Sequence, residues 1–411
     1  MKGLMKYLSP MAPDISGAVS VLFDKGGMIV ILDAGGCTGN VCGFDEPRWM
    51  SYENAPGSSV IFSAGLRDMD AIFGRDDRLL KKTGAVINEI HPRFLALIGS
   101  PVPSVIGTDF RGLRRMAENR FGVPVITVPV TGMDLYDRGE KLAYKAWLEA
   151  FPWDGHVIGA APLNLLPKDT PASLLARAQA MASLPAPLGD SAGPREGLVG
   201  DQLPAFADTV GTGDGSQGSL PRGAGRTIPS SSDAAPAPAS LCQPPDCTGP
   251  MANSQNCSAD SMCLPSGGWN LAVSPSALFA AEKILTQDKI PYRAFYPLPE
   301  WLCHRLDSLS SSTKPVLVVH QAVLAESIRA YLRGRGCQAE IRTGTWFTPL
   351  DRTDFHFRDE EDFETCLRDG HFGTVLADPL LARAAHGQYD RWVDLAHFAV
   401  SGQNPPHLMN S

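Results

Sequence analysis

The 411-residue chain has no apolar stretch long enough to cross a bilayer, which rules out an ordinary helical membrane protein. It also has no run of basic residues and carries a net charge of −8, so nucleic acid is not an expected partner. The N-terminal Met1 to Tyr7 is charged but leads into no apolar signal segment or cleavage site, which predicts a cytoplasmic protein. Phosphate-loop (G-x-x-x-x-G-K-[ST]), H-E-x-x-H and C-x-x-C patterns are all missing, and with them Walker-type ATP hydrolysis, the usual zinc protease site and a thioredoxin-like centre. Nine cysteines are too sparse for a disulfide scaffold; in a reducing compartment each is a thiol or a ligand.

What the chain does have is core: 44% of it is hydrophobic, enough for two or three domains. Near-continuous apolar runs at Met28–Leu32, Phe94–Gly99 and Val123–Val128 alternate with helical patterns at Leu79–Glu89 and Asp109–Phe121. That alternation predicts an α/β fold with a parallel, Rossmann-like sheet over residues 1–150. A second α/β unit is expected from 151–183 plus 269–313, with a strand at His156–Leu163, a helix at Ala172–Ser183 and a second helix at Ala277–Thr286. A last α/β unit covers 314–411, with strands at Pro315–His320, Gln338–Arg342, Thr374–Ala377 and the region Trp392–Val400, and a helix at Ala322–Arg335. Residues 184–268, rich in Pro, Gly, Ser and Ala, are too poor in large apolar side chains to repay their ordering entropy and are expected to be disordered.

Two features of that insertion look functional and have plainer readings. Gly213 to Gly218 matches G-x-G-x-x-G, but no strand precedes it and no helix follows, so the dinucleotide context is missing. Cys242, Cys247, Cys257 and Cys263 have spacings that fit no zinc knuckle; a metal loop and a set of unconstrained thiols both stay open. Cys303, Cys337 and Cys366 sit in regular patterns and read as core or surface thiols. His320 and His397 end strands, where open α/β sheets bind ligands.

The most informative segment runs from Met28 to Trp49. An apolar strand stops at Asp33, and Gly35 and Gly36 then present the Cys37 thiol on a tight loop, with Cys42 five residues on. Asp45, Glu46 and Arg48 follow, as a solvated turn or as cluster, proton or anion contacts. Ser100 to Asp109 is Pro-punctuated and feeds a helix, whose exposed amides suit an anionic group.

Three stretches in this order resemble the nitrogenase component 1 superfamily: Ser16 through Cys37, Ser63 through Leu79, and Ile98 through Asp109. The resemblance covers about the first 135 residues and, more loosely, Trp269 to Gly402. It implies an oxidoreductase subunit with Rossmann-like domains. Such a subunit relays electrons from a separate ATP-dependent iron–sulfur reductase, through a [4Fe–4S] cluster, to a small-molecule or tetrapyrrole-type substrate. Family members that hold a cluster typically use three cysteines per chain. Only the middle one, Cys37, is matched here; Asp14 stands near the first position, and Ser100 or Pro101 at the third. One thiolate cannot hold a cluster that takes four ligands. It is therefore shared across an interface, with Cys37 and Cys42 as metal ligands and Gly35, Gly36 and Ser100 lining it, or completed by Cys42 or a carboxylate, or absent. A homodimer or a heteromer with a related chain would supply the missing thiolates. The nitrogenase cofactor ligands find no match, so dinitrogen is not the expected substrate. A scaffold for cluster or cofactor assembly and a cluster-less binding module are the rivals.

Overall fold

The computed structural model describes residues 6–45, 59–66, 76–151, 270–285 and 292–400. The chain divides into two compact units, Met1–Ala192 with Cys263–Ser411, and Gly193–Met262; every described residue belongs to the first. The expected elements at His156–Leu163 and Ala172–Ser183, the insertion with its four cysteines, and Glu46 and Arg48 lie outside the described residues.

Two parallel sheets organise the described unit. The first is four-stranded: β1 (Met28–Ile31), β2 (Val60–Ser63), β3 (Leu95–Ile98) and β4 (Val125–Val128), in the order β2-β1-β3-β4. Every residue of β1 and β3 is buried, as expected of strands covered on both faces. β1 pairs with β2 on one side (Ile31 opposite Ser63) and with β3 on the other (Ile31 opposite Ile98). A two-stranded pair, β5 (Asn270–Ala272) and β6 (Tyr292–Ala294), follows. The second large sheet contains β7 (Val316–Val319), β8 (Ile341–Thr345), β9 (Phe355–His356), β10 (Thr374–Ala377) and β11 (Arg391–Asp394), ordered β11-β10-β7-β8-β9. In both large sheets the chain reverses its direction of winding, between β1 and β3 and between β7 and β10. Open α/β folds place ligands outside the carboxyl ends of the strands at such points.

The structure corrects several sequence expectations. The strand of the last sheet expected at Gln338–Arg342 is β8, Ile341–Thr345; Gly336, with φ 83°, turns the chain first and delays the strand. The region Trp392–Val400 is a strand only as far as Asp394, because the Asp378 carboxylate takes the His397 amide out of any ladder. The Pro-punctuated stretch after β3 is itself helical, Pro101–Ile106: proline at the first helical positions gives up only an amide that had no partner there.

The first helix, Asp14–Leu22, crosses the helix Tyr136–Ala150 at backbone contact, through Gly17 and Gly139. Beside that crossing Glu140 is buried, and its Oε1 has no hydrogen-bond partner. Burial, reinforced by the Asp137 carboxylate, holds its acid form to a pH well above the ordinary glutamate value of 4.5; a Ser276 hydrogen bond works weakly the other way. The folded state thus keeps a proton that the unfolded chain releases. Stability is complete below the unfolded value and falls as pH rises toward the folded one, by about 1.4 kcal/mol per pH unit. Glu140→Gln should abolish that loss, so urea midpoints of wild type and variant should converge in acid and separate progressively as pH rises above the unfolded value. Parallel curves would contradict the assignment.

Candidate functional site

Cys37 lies just beyond the carboxyl end of β1, at the winding reversal of the first sheet. Gly35 adopts φ 117°, open only to glycine, and this turn starts a short helix, Gly36–Asn40. Cys37 therefore sits in the first turn of a helix rather than on a loop, and the run continues as a π-helical turn, Val41–Asp45, that carries Cys42. Among the described residues, no atom would lie within 4 Å of a Cβ at Gly36, so they leave the approach beside the thiol open.

Asp33, 2% exposed, organises this corner. Its Oδ2 accepts the Thr38 amide at 2.8 Å, and its Oδ1 accepts the Thr38 hydroxyl at 3.0 Å and the Ser63 hydroxyl at 2.6 Å. The Ser63 oxygen in turn accepts the Gly65 amide at 3.0 Å, so the ends of β1 and β2 are fastened around Cys37. Burial pushes the Cys37 thiol above its ordinary pKa, and the Asp33 carboxylate adds to the rise. The resting group is a thiol, and any metal that binds it must displace a proton.

Two other positions singled out in the sequence have structural duties here. Ser100 is completely buried, and its hydroxyl donates to the Leu32 carbonyl at 2.7 Å, tying the head of the Pro101–Ile106 helix to the end of β1. Asp14, also completely buried, accepts the Thr131 amide at 2.9 Å and the Gly132 amide at 2.7 Å, holding the loop after β4. Cys37 and Cys42 are both half-buried and pack against one core cluster with Ile29, Ile31, Val41 and Ile98. Among the described residues, no three His, Cys, Asp or Glu side chains converge to hold a metal ion. The described residues thus offer two thiolates at this edge, half of what a [4Fe–4S] cluster needs.

The second sheet has its own polar group at its reversal. His320 follows β7, Asp378 follows β10 and His397 follows β11; all three are buried. The imidazoles of His320 and His397 lie 4.2 Å apart, and Phe347 stacks on His397 at 5.0 Å. Burial holds both rings neutral, His320 with a pKa down to about 3 and His397 well below the ordinary value. His320 uses both nitrogens: Nδ1 accepts the Gln321 amide at 2.8 Å, and Nε2 reaches the Ala396 carbonyl at 3.1 Å. His397 accepts the Ala399 amide at Nδ1 (3.0 Å), which places its proton on Nε2, a buried donor without a partner. Asp378 was not foreseen; nineteen residues separate it from the His397 amide it binds at 2.7 Å, and no local pattern joins them.

Residues 16–179 match the family described as nitrogenase component 1 type oxidoreductase. Over that segment, less than half of its length, the chain is similar to nitrogenase component 1 type oxidoreductases. Its similar relatives include the nitrogenase iron-molybdenum cofactor biosynthesis protein NifE of Clostridium pasteurianum, 30% identical over 89 residues, or 22% of this chain and 19% of that protein. NifE of Rhizobium meliloti is 30% identical over 129 residues, 30% of this chain and 24% of that protein. The matches thus span about a fifth to a quarter of the relatives' length. Among solved structures, "Nitrogenase Cp1 at pH 5" aligns with a TM-score of 0.54 at 12% identity, covering 99% of this chain and 86% of that one. "Nitrogenase Cp1 at pH 6.5" aligns with a TM-score of 0.56 at 9% identity, covering 99% and 89%. At such identities the structural likeness establishes the fold, an α/β architecture of parallel sheets. Proteins of this superfamily bind iron–sulfur clusters. Among the described residues, no helix is long and apolar enough to cross a membrane.

Proposed function

We propose that this component 1-like chain is an oxidoreductase subunit that holds a [4Fe–4S] cluster jointly with a second chain, either a copy of itself or a related one. The observation that carries the reading is the placement of Cys37: it sits on a glycine turn at the carboxyl edge of the first sheet, open on the Gly36 side, while Asp14 and Ser100 are committed to backbone groups. Such a cluster supplies one-electron transfer. The chain's own part is to position the Cys37 thiol through Asp33, to release its proton on ligation, and to let a partner approach over Gly36. With no phosphate loop in the sequence, the electrons come from a separate ATP-dependent iron–sulfur reductase. A small-molecule or tetrapyrrole-type compound is the acceptor, and the cytoplasm is the compartment.

A second reading has support of its own: the NifE matches favour a scaffold that carries a cluster or cofactor precursor to another protein. Anaerobic reconstitution followed by incubation with a cognate reductase and MgATP separates the two. Repeated reduction and reoxidation in the presence of an acceptor, with iron content constant, is the result expected of the electron-relay subunit. Loss of iron to an acceptor apoprotein, without turnover, would replace that reading with the scaffold.

A further inference from the structure

The N-terminal segment does not stay with the first sheet. The backbone amides of Lys6, Tyr7 and Leu8 all donate to one side chain, the Glu360 carboxylate at the start of the helix Glu360–Gly370, at 3.0 to 3.2 Å. Four residues after Leu8 the Ala12 amide donates to the Ala399 carbonyl at 2.8 Å. Glu360 follows β9 and Ala399 follows β11, the two edge strands of the second sheet. Residues 6–12 thus form a strap from Glu360 to Ala399, whose own amide donates to His397 Nδ1, and Leu8 shares a cluster with Phe347, the ring stacked on His397.

The strap is held mainly at its ends. Leu8 is buried in the cluster that includes Trp346, Phe347 and Phe363, and Met11 and Ala12 pack on it only partly. Tyr7 is 46% exposed and meets the rim through an edge contact with His386 at 4.5 Å. The closed state also leaves the His397 Nε2–H donor buried without an acceptor, a state that costs free energy and that exposure to water relieves. A single carboxylate receiving three consecutive amides is a strong, charge-assisted hold that one side chain can release.

We propose that residues 6–12 are a latch over the carboxyl edge of the second sheet, with Glu360 as its catch, and that its opening governs when water and small solutes reach the His320–His397 pair. Histidine modification by diethyl pyrocarbonate, mapped by mass spectrometry on the full chain, tests this. In wild type, His397 should react far more slowly than His304, whose side chain is 74% exposed. Glu360→Ala should accelerate labelling of His397 at least ten-fold and deprotect the amides of residues 6–8 in hydrogen exchange, with His304 unchanged. Glu360→Gln, which keeps one acceptor oxygen, should fall between. Freed amides with unchanged His397 labelling would overturn the gating role. Should Glu360→Ala fail to fold, wild type in sub-denaturing urea still decides. His397 labelling and exchange at residues 6–8 should share one opening that occurs below the unfolding transition. Labelling of His397 only through global unfolding would overturn the latch.

Discussion

Replacing Cys37 with alanine should bring the iron of the anaerobically reconstituted protein from about two atoms per chain to background, because a cluster does not stay bound without a main ligand. The brown colour and the broad visible absorption should go with it. Folding should survive, since Cys37 is half-buried on a short helix whose other ties, from Asp33 to Thr38 and Ser63, are untouched. A surface-side truncation of this kind costs on the order of 0.5 kcal/mol. Cys42→Ala should lower iron content as well, whereas Cys337→Ala should not, because Cys337 is buried in the core around β7 and β8, away from the first sheet. Iron at the wild-type level in Cys37→Ala would refute the ligand assignment.

The largest loss of stability should come from Gly139→Ala. A Cβ there would lie 1.8 Å from the Asp14 carbonyl oxygen and 2.6 Å from its carbon, and one at Gly17 would lie 1.9 Å from the Tyr136 oxygen. These neighbours are backbone, so no side chain can swing aside, and the two helices would have to separate. Overpacking of this kind costs about 3 kcal/mol, which lowers the melting temperature of a unit this size by roughly 5–10 °C. On helix propensity alone the same change would stabilise by about 1 kcal/mol, so the two effects differ in sign. A melting temperature that stays or rises would show that the crossing is looser than described. Separation would also pull Asp14 from the Thr131 and Gly132 amides, spreading the damage to the carboxyl edge beside Cys37.

Where the chain made its structure readable, it did so through strands covered on both faces. Met28–Leu32 and Phe94–Gly99 are unbroken apolar runs because helices cover both sides of β1 and β3, and runs of that kind announce a parallel sheet. Cys37 was legible for the same reason, since a strand that stops at Asp33 and meets two glycines has its carboxyl end written into it. What could not be read lies in long-range polar pairings. Glu360 looks like one of several acids opening a helix, and nothing nearby reveals that it receives amides from residues 6–8. Asp14 stands near a position where the family resemblance implies a cysteine; only the fold shows that its carboxylate holds a loop more than a hundred residues away. Ser100 was expected to line a cofactor, and its hydroxyl is instead turned inward to the Leu32 carbonyl.

The proposed site is one cluster completed by two chains. Size-exclusion chromatography under anoxic conditions, with iron and acid-labile sulfide measured in each fraction, tests this most directly. Cys37 and Cys42 supply at most two thiolates per chain. Iron should therefore follow the dimer, at about four iron and four sulfide per two chains, and monomeric fractions should carry none. A full complement of four iron atoms on a strictly monomeric chain would contradict the shared site.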